Sequence, residues 1–286
     1  MKDDQTLQTT AAGAALARAE HCLLDGDPKV FDDPLAAVLV GPGADAAIAI
    51  MATLGTPKMR GGIRSVIVGR SRYVEDRLAV AVHRGVRQYV ILGAGLDSFA
   101  HRNQLGVRVF EVDLPALQNW KRERCAASGL EHPNTLVYVP ADFESESVTD
   151  ALLRSSFDFN QTSFVSWVGV TPYLTAGAID STLAAIASLK AGTELVLSFV
   201  TPSQMWGPLD RQVAEFIIPS AAGLGEPIRS FYASNEISAV LDTHGFTSHQ
   251  HYGPQEAAAQ LYFQGRTDLC RPQGFERYVS ALGRGQ

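Results

Sequence analysis

A glycine-rich turn and an acidic residue that follows it could together carry chemistry. Gly93 and Gly95 come directly after the β-branched run Tyr-Val-Ile-Leu of residues 89–92. A glycine-rich turn that leaves a buried strand brings backbone N–H groups close to a ligand. Asp113 ends the next β-branched run, where a carboxylate can accept hydrogen bonds from both hydroxyls of a ribose. The combination predicts a site for an adenosine-containing cofactor.

The residues after the two glycines separate two classes of cofactor. A dinucleotide fold requires glycine or alanine at the position of Ser98, where that small residue packs helix on strand. A pyrophosphate would also lie close to the acidic side chain of Asp97. S-adenosylmethionine carries an ammonium and a sulfonium, so its charge suits this turn better. A turn that needs glycine only for its positive φ is the alternative without a ligand.

A second acidic position follows the third predicted strand, residues 135–139. Asp142 can accept a hydrogen bond from the amino group of an adenine, and Phe143 can stack beside the base. Asp142 is equally expected as the N-cap of a helix that begins at Glu144. The two roles are compatible.

Strands and helices alternate from residue 88 onward. Further strands are predicted at 107–112, 164–168 and 194–200, with helices at 114–127 and 175–189 between strands. This order predicts a doubly wound, Rossmann-like α/β domain, a mostly parallel sheet with helices on both faces. A helix at 234–243 and strands at 246–252 and 277–281 complete the predicted elements. In helix 114–127, Lys121 and Arg122 are predicted on the polar side.

The whole chain, residues 1–286, is predicted to form one domain with four parts. Residues 1–84 form a helical N-terminal extension, in which Asp33 precedes Pro34 as a helix N-cap. Residues 85–200 form the cofactor-binding core, and residues 233–286 form the last part of the sheet. Residues 201–232 form an insertion after strand five, rich in proline and glycine, which predicts a lid or a substrate-binding wall.

Composition excludes several classes of protein. With 24 Lys and Arg against 30 Asp and Glu, the formal charge is −6, which argues against a nucleic-acid partner. No apolar run approaches the roughly 20 residues that cross a bilayer, and the N-terminus lacks the features of a secretory signal. The three cysteines lie far apart in the sequence, so neither a disulfide framework nor a zinc site is predicted, and free thiols are expected in the reducing cytoplasm. His249 and His251 are predicted to share an exposed strand face, and no metal site is predicted.

Several segments of the sequence resemble the leucine carboxyl methyltransferase-like family of class I S-adenosylmethionine-dependent methyltransferases. The resemblance covers about residues 14–283. Many bacterial members of this family act on small molecules. The segments that carry it are Val30–Pro34, Arg70–Asp76, Gln88–Arg102, Val109–Pro115, Gly225–Ser230 and Tyr262–Asp268.

The resemblance implies roles for individual residues. Arg70 would hold the methionine carboxylate of the cofactor, Asp113 the ribose, and Asp142 with Phe143 the adenine. The family commonly carries an Ala-Glu-Gly element after strand four, and Val168 stands here in place of its glutamate, before Gly169. The cofactor-binding residues predicted in this way are Arg70, Gly93, Ala94, Gly95, Asp113, Leu114, Asp142, Phe143 and Gly169.

The methyl acceptor is predicted from the chemistry of the transfer. A carboxylate with a pKa of about 4 is already ionised at neutral pH, whereas a phenol with a pKa of about 10 usually needs a base. The sequence shows no obvious base constellation, so no catalytic residue is assigned. We therefore expect an O-methyltransferase acting on a carboxylate or an acidic hydroxyl or enol of a natural product. The alternatives are a cofactor-binding protein that transfers no methyl group and an NAD(P)-dependent oxidoreductase.

Aromatic residues are the candidates for the acceptor pocket. Trp206 and Tyr232 lie in the insertion and could form an apolar wall, although a core beneath a long loop is the alternative. Tyr73 and Tyr173, like His21 and Asp97, could approach the acceptor, although packing or capping is expected as often. The predicted partner is therefore a small molecule, with no nucleic acid and no membrane.

Overall fold

One seven-stranded sheet forms the centre of the protein, and the computed structural model describes residues 9–285 of the chain. Residues 1–8 of the predicted N-terminal extension, and Gln286, lie outside the described residues. The order across the sheet is β3-β2-β1-β4-β5-β7-β6. The strands are β1 (Gln88–Leu92), β2 (Arg108–Asp113), β3 (Leu136–Pro140), β4 (Ser163–Trp167), β5 (Glu194–Val200), β6 (Phe246–Tyr252) and β7 (Glu276–Gly283).

The first five strands are parallel, and the last two are antiparallel. β1 pairs in parallel with both β2 and β4, while β7 runs antiparallel between β5 and β6. The strand order therefore reverses between β1 and β4, and ligands of open α/β sheets bind outside the carboxyl ends of the strands at such a point. The predicted mostly parallel, Rossmann-like α/β fold is confirmed.

Helices cover both faces of the sheet. Tyr89 and Ile91 of β1 belong to the core beneath α4, while Val90 and Leu92 belong to the core beneath α7, α8 and α10. This alternation follows the two-residue period of a strand buried on both faces. The helices are α1 (Thr10–Leu24), α2 (Ala36–Val40), α3 (Ala44–Met51), α4 (Pro57–His83), α5 (Phe99–Arg102), α6 (Pro115–Ala127), α7 (Val148–Leu153), α8 (Ala176–Ala187), α9 (Pro208–Gly223), α10 (Ser234–Thr243) and α11 (Ala257–Tyr262).

The N-terminal helices form a layer on the core. The long helix α4 begins where the side chain of Thr56 accepts a hydrogen bond from the Met59 N–H and Pro57 takes the first helical position. Asp33, predicted as an N-cap, accepts a hydrogen bond from the Leu35 N–H at 3.2 Å, although α2 begins only at Ala36. The same carboxylate is 1% exposed and paired with Arg18 of α1 at 2.8 Å. No helix within residues 9–285 is long and apolar enough to cross a membrane.

Two local predictions are wrong. Lys121 does not lie on the polar side of α6: it is 1% exposed, and its ammonium contacts Glu111 of β2 at 2.6 Å. Asp142 caps a turn rather than a helix, since its Oδ1 accepts from the Glu144 N–H at 3.0 Å while α7 begins only at Val148. At Lys121 a tertiary ion pair outweighs the preference of a charge for solvent, and at Asp142 a turn replaces the predicted start of the helix.

The predicted insertion contains helix α9, which packs against α4. Val213 and Ala214 of α9 are buried in a cluster with Val200 and Phe275. The indole N–H of Trp206 donates to the carbonyl of Thr201 at 2.8 Å, which fixes the start of the segment on the end of β5. The insertion is therefore anchored at the carboxyl end of the sheet.

Candidate functional site

The glycine turn after β1 has the backbone conformation that the sequence suggested. Gly93 and Gly95 have φ angles of 69° and 48°, which favour glycine because a Cβ would be strained there. The Gly93 N–H donates to the carbonyl of Val112 in β2 at 2.8 Å. A Cβ at Gly93 would lie 2.3 Å from a methyl group of Val170, which follows β4. The turn thus lies where the loops after β1, β2 and β4 meet.

Asp113 lies beside this turn at the end of β2. Its two carboxylate oxygens accept hydrogen bonds from the N–H groups of Gly95 at 2.6 Å and of Leu114 at 2.7 Å. Each oxygen has a further lone pair, so the carboxylate can still accept from two ribose hydroxyls. Burial raises the pKa of Asp113, and the two backbone donors oppose that rise. Of the two other predicted cofactor-binding residues nearby, Ala94 in the glycine turn is buried, and Leu114, which follows Asp113, is 43% exposed.

The predicted adenine residues follow the adjacent strand. Asp113 is the register partner of Pro140, and the Ala141 N–H donates to the Asp113 carbonyl at 3.0 Å. Asp142 is exposed, and Phe143 is half-buried against the core cluster beneath α7. Asp113, Asp142 and Phe143 are therefore brought to the same edge of the sheet.

The side chain of Arg70 in α4 contacts the loop that follows β4. Its Nη1 contacts the carboxylate of Glu276 in β7 at 3.2 Å. A Cβ at Gly169 would lie 2.5 Å from the same nitrogen, so the guanidinium rests directly on the Gly169 backbone. Gly169 has a φ of 70°, and its N–H donates to the Ser198 hydroxyl at 2.7 Å. The pairing of Arg70 with Glu276 has no local signal in the sequence.

Tyr173 completes this end of the site. It lies in a short 3₁₀ helix, Thr171–Tyr173, within the electrostatic influence of Arg70, Glu276 and Glu226. Burial raises the pKa of Tyr173 to about 12, so the phenol is protonated at neutral pH. Tyr173 is therefore a hydrogen-bond donor here, not a base.

Helix α1 covers the glycine turn. A Cβ at Gly95 would lie 2.9 Å from the Cβ of Ala11, and the Thr10 hydroxyl donates to the carboxylate of Glu226. Arg18 donates to the carbonyl of Leu96 at 2.7 Å. Sequence reasoning missed these contacts because each joins segments far apart in the chain.

The residues present fit S-adenosylmethionine better than a dinucleotide. Asp97 accepts from the Phe99 N–H at 2.7 Å, so an acidic side chain occupies the start of α5, where a dinucleotide fold binds pyrophosphate. Asp113 offers acceptors for a ribose, and Arg70 offers donors for a carboxylate. When bound, S-adenosylmethionine supplies an electrophilic methyl group on its sulfonium.

Not every predicted substrate residue reaches this site. The Tyr73 side chain is packed between α4 and the sheet, where it is 5% exposed and its hydroxyl donates to the Gln250 carbonyl at 3.0 Å. The structure brings Tyr173 to Arg70 but leaves Tyr73 in the core. Trp206 and Tyr232 both follow the carboxyl end of β5, and the Tyr232 N–H donates to the Val200 carbonyl at 2.9 Å.

Two histidine clusters have structural roles. His21 contacts Asp25 at 2.8 Å and accepts from the Val30 N–H at 3.0 Å, so both ring nitrogens are engaged. Asp25 also accepts two hydrogen bonds from Arg64, which leaves this buried group unsuited to a metal. The prediction of an exposed face for the histidines of β6 is wrong. Both rings are half-buried beneath α10, and the His251 ring contacts the Ser238 hydroxyl at 2.8 Å.

One groove lies away from the carboxyl ends of the strands. It has a volume of about 510 Å³ and lies beside the last turns of α6, near the amino ends of the parallel strands. Cys125 in its wall contacts the His101 ring at 3.5 Å, and Arg122 stacks on Tyr138. Its position excludes it from the cofactor site.

The fold and the site together define an S-adenosylmethionine-dependent methyltransferase. Residues 11–187 match the model of the leucine carboxyl methyltransferase family, and the chain belongs to this family. Over 219 residues it is 32% identical to YktD of Bacillus subtilis, which is named as an S-adenosyl-L-methionine-dependent methyltransferase. The aligned region covers 75% of this chain and 71% of YktD. A protein of the same description from Mycobacteroides abscessus is 29% identical over 95% of this chain and 90% of its own length.

Solved structures share the fold. A methyltransferase from Thermobifida fusca superposes with a TM-score of 0.60 at 18% identity, covering 96% of this chain and 98% of that protein. Human N-acetylserotonin methyltransferase in complex with S-adenosylmethionine gives a TM-score of 0.52 at 12% identity, and the superposition covers 98% of this chain and 69% of the human protein. At identities of 18% and 12%, the structural similarity shows the shared fold alone.

Replacing Gly169 with alanine should weaken cofactor binding. The new Cβ would displace the Arg70 guanidinium, and the left-handed backbone adds strain of about 1–3 kcal/mol. We expect the Kd for S-adenosylhomocysteine, measured by isothermal titration calorimetry, to rise at least about tenfold, as loss of one charged hydrogen bond implies. Gly177→Ala in α8 is the control, because nothing lies within 4 Å of its new Cβ. An unchanged Kd in Gly169→Ala would show that the guanidinium does not hold the cofactor.

Proposed function

We propose that this protein is an O-methyltransferase whose acceptor is a carboxylate, or an already ionised hydroxyl or enol, of a small-molecule natural product. In this reaction an acceptor oxygen forms a bond to the methyl carbon while the carbon–sulfur bond breaks, and the electron pair stays on sulfur. The products are the methylated acceptor and S-adenosylhomocysteine. The name of the family, which refers to carboxyl methylation, is consistent with such an acceptor.

The observation that carries the proposal is the placement of Tyr173, a phenol, after β4 and within the electrostatic influence of Arg70. Its raised pKa, about 12, makes it a donor that can orient an anionic oxygen and not a base that can remove a proton. Glu226 at the same end already accepts from Thr10. An acceptor that enters as an anion needs only alignment with the methyl group, and alignment supplies a large part of the rate of such a displacement.

The preference for a small, partly apolar acceptor is supported by the insertion. Trp206 packs on Phe275 with ring centroids 5.6 Å apart, and Phe275 directly precedes Glu276. Trp206 and residues 211–219 of α9 also line an open groove of about 270 Å³. Small-molecule sites are typically concave and mostly apolar with a few polar groups, and this region has that character.

Proton release during turnover tests the proposal. Transfer to an anion releases no proton, whereas transfer to a neutral hydroxyl releases one. The purified protein would be incubated with S-adenosylmethionine and a panel of aromatic and polyketide-like acids, phenols and enols in weak buffer. Mass spectrometry would identify the methylated product, and pH would be recorded against S-adenosylhomocysteine formed. We expect methylation of an acid or enol with no proton released.

Other outcomes of the same experiment have defined meanings. One proton released per methyl group would contradict an anionic acceptor and require a base. Binding of S-adenosylhomocysteine without turnover of any acceptor would favour a cofactor-binding protein that transfers no methyl group. The cytoplasmic location and the absence of nucleic-acid and membrane partners, expected from composition, belong to the same proposal.

A further inference from the structure

Glu276 is a buried carboxylate that the proposed methyl transfer does not use. It begins β7 opposite Val200, is 5% exposed, and has both oxygens near Nη1 of Arg70, at 3.3 and 3.2 Å. Among residues 9–285, that nitrogen is the one hydrogen-bond donor to this carboxylate. A carboxylate has about four acceptor sites, and buried carboxylates are normally well supplied with donors. Glu276 therefore retains acceptor sites for a donor from outside the chain.

Arg70, in turn, has N–H donors that no acceptor within the described residues uses. A guanidinium carries five N–H donors in a rigid fork, and within the described part of the chain only those on Nη1 are hydrogen-bonded. The remaining edge of the fork matches the geometry of a carboxylate. The pair thus presents unused donors and unused acceptors side by side, and its net charge is zero. A ligand with one carboxylate and one ammonium on the same carbon would satisfy both.

The strand register turns Glu276 toward the cofactor site. Every second residue of β7 faces α4: the hydroxyl of Tyr278 donates to the Val66 carbonyl at 2.8 Å, and the hydroxyl of Ser280 contacts that of Tyr73 at 3.2 Å. Glu276, two residues before Tyr278, lies on this face at the carboxyl end of the parallel strands. Glu226, the neighbouring carboxylate, is already engaged by Thr10.

We propose that Glu276 accepts hydrogen bonds from the ammonium group of the methionine portion of the cofactor while Arg70 holds its carboxylate. This inference rests on the cofactor orientation argued above, with its methionine end at Arg70. Glu276 and Arg70 together then recognise the amino acid as a zwitterion. Ligands that lack either charge lose one of the two contacts.

Ligand analogues separate this role from a purely structural one. Isothermal titration calorimetry would compare the wild type with Glu276→Gln for three ligands: S-adenosylhomocysteine, its deaminated analogue that keeps the carboxylate, and 5′-methylthioadenosine, which lacks both charges. We expect Glu276→Gln to weaken S-adenosylhomocysteine about 10- to 100-fold, the usual effect of losing a charged hydrogen bond. The affinities for the other two ligands should stay within about twofold of the wild type, because neither ligand carries the ammonium.

Glu194→Gln is the matched control for loss of a buried ion pair. Glu194 begins β5, is 1% exposed, and pairs with Arg77 of the same helix α4 at 2.6 Å, at the other end of the sheet. We expect this variant to melt at a lower temperature and to bind S-adenosylhomocysteine as the wild type does. Circular dichroism would confirm that both variants are folded.

Three results would overturn the proposal. An unchanged affinity of Glu276→Gln for S-adenosylhomocysteine would exclude the contact. An equal loss for the deaminated analogue would show that Glu276 only positions Arg70. Failure of the wild type to bind S-adenosylhomocysteine would overturn the cofactor assignment itself, and this result differs from the first two because no variant is involved.

Discussion

Replacing Asp113 with alanine is expected to lower the affinity for S-adenosylhomocysteine at least about 100-fold. The variant loses a carboxylate that can accept from two ribose hydroxyls, and each hydrogen bond to a charged group contributes about 1.5–3 kcal/mol. A thermal-shift titration reads out this loss, since a ligand at 100 times its Kd stabilises the folded state by about 2.7 kcal/mol. The shift produced by the ligand in the wild type should disappear in Asp113→Ala.

The same substitution also removes the acceptor for two backbone N–H groups, at Gly95 and Leu114. Asp113→Asn keeps the size of the side chain and one acceptor oxygen, so it retains an acceptor for one of these two N–H groups and damages the turn less than alanine does. Asp180→Ala is the control, because that carboxylate lies 72% exposed on α8. If Asp113→Ala and Asp180→Ala give the same ligand-induced shift, Asp113 does not bind the cofactor.

Replacing Lys121 with methionine should destabilise the fold by about 3–5 kcal/mol at pH 8. The ammonium contacts Glu111 at 2.6 Å and the carbonyl of Asp97 at 2.5 Å, and both members of the ion pair are 1% exposed. Without Lys121, Glu111 must either stay ionised in the core without a cation or take up a proton, and both cost free energy at pH 8. The free energy of unfolding would be measured by urea denaturation. An exposed pair, Arg72 with Asp76, gives the control variant Arg72→Met, with an expected loss below about 1 kcal/mol.

The loss in Lys121→Met should depend on pH. Burial already raises the pKa of Glu111 above its usual value, against the opposing field of Lys121, and removing the ammonium raises it further. A carboxyl group whose pKa is higher in the folded state favours folding at low pH, and this contribution is lost as the pH rises toward the folded-state pKa. The variant should therefore be less impaired at pH 5.5 than at pH 8. Adding Glu111→Gln should remove this difference, and a loss independent of pH would contradict the argument.

The parallel part of the sheet could be predicted from sequence because its signals are local. Each of β1, β2 and β5 is a short β-branched run, and the glycine turn and Asp113 lie directly at the ends of such runs. The backbone geometry after a parallel strand then brings these residues together without further information. Arg70 could be placed only through the family resemblance, because nothing in its own helix marks it.

The rest of the site depends on contacts between distant segments. Glu276 lies 206 residues from Arg70, and Thr10 lies 216 residues from Glu226, so no spacing pattern relates them. Lys121 did carry a signal: it falls in one helical stripe with Gln118 and Cys125, both buried. Its charge suggested solvent, but the stripe faces the sheet, where Glu111 supplies the opposite charge.

The position of β7 has a consequence for biosynthesis. This strand is made last among the seven, yet it pairs with both β5 and β6. At a ribosomal rate of about 5–20 residues per second, the 206 residues between Arg70 and Glu276 take about 10–40 s to synthesise. After β5 (Glu194–Val200) has been made and until β7 follows, the nascent sheet ends at an unpaired β5 edge, a surface prone to association. Arg70 therefore meets its partner Glu276 only after this last strand has been made.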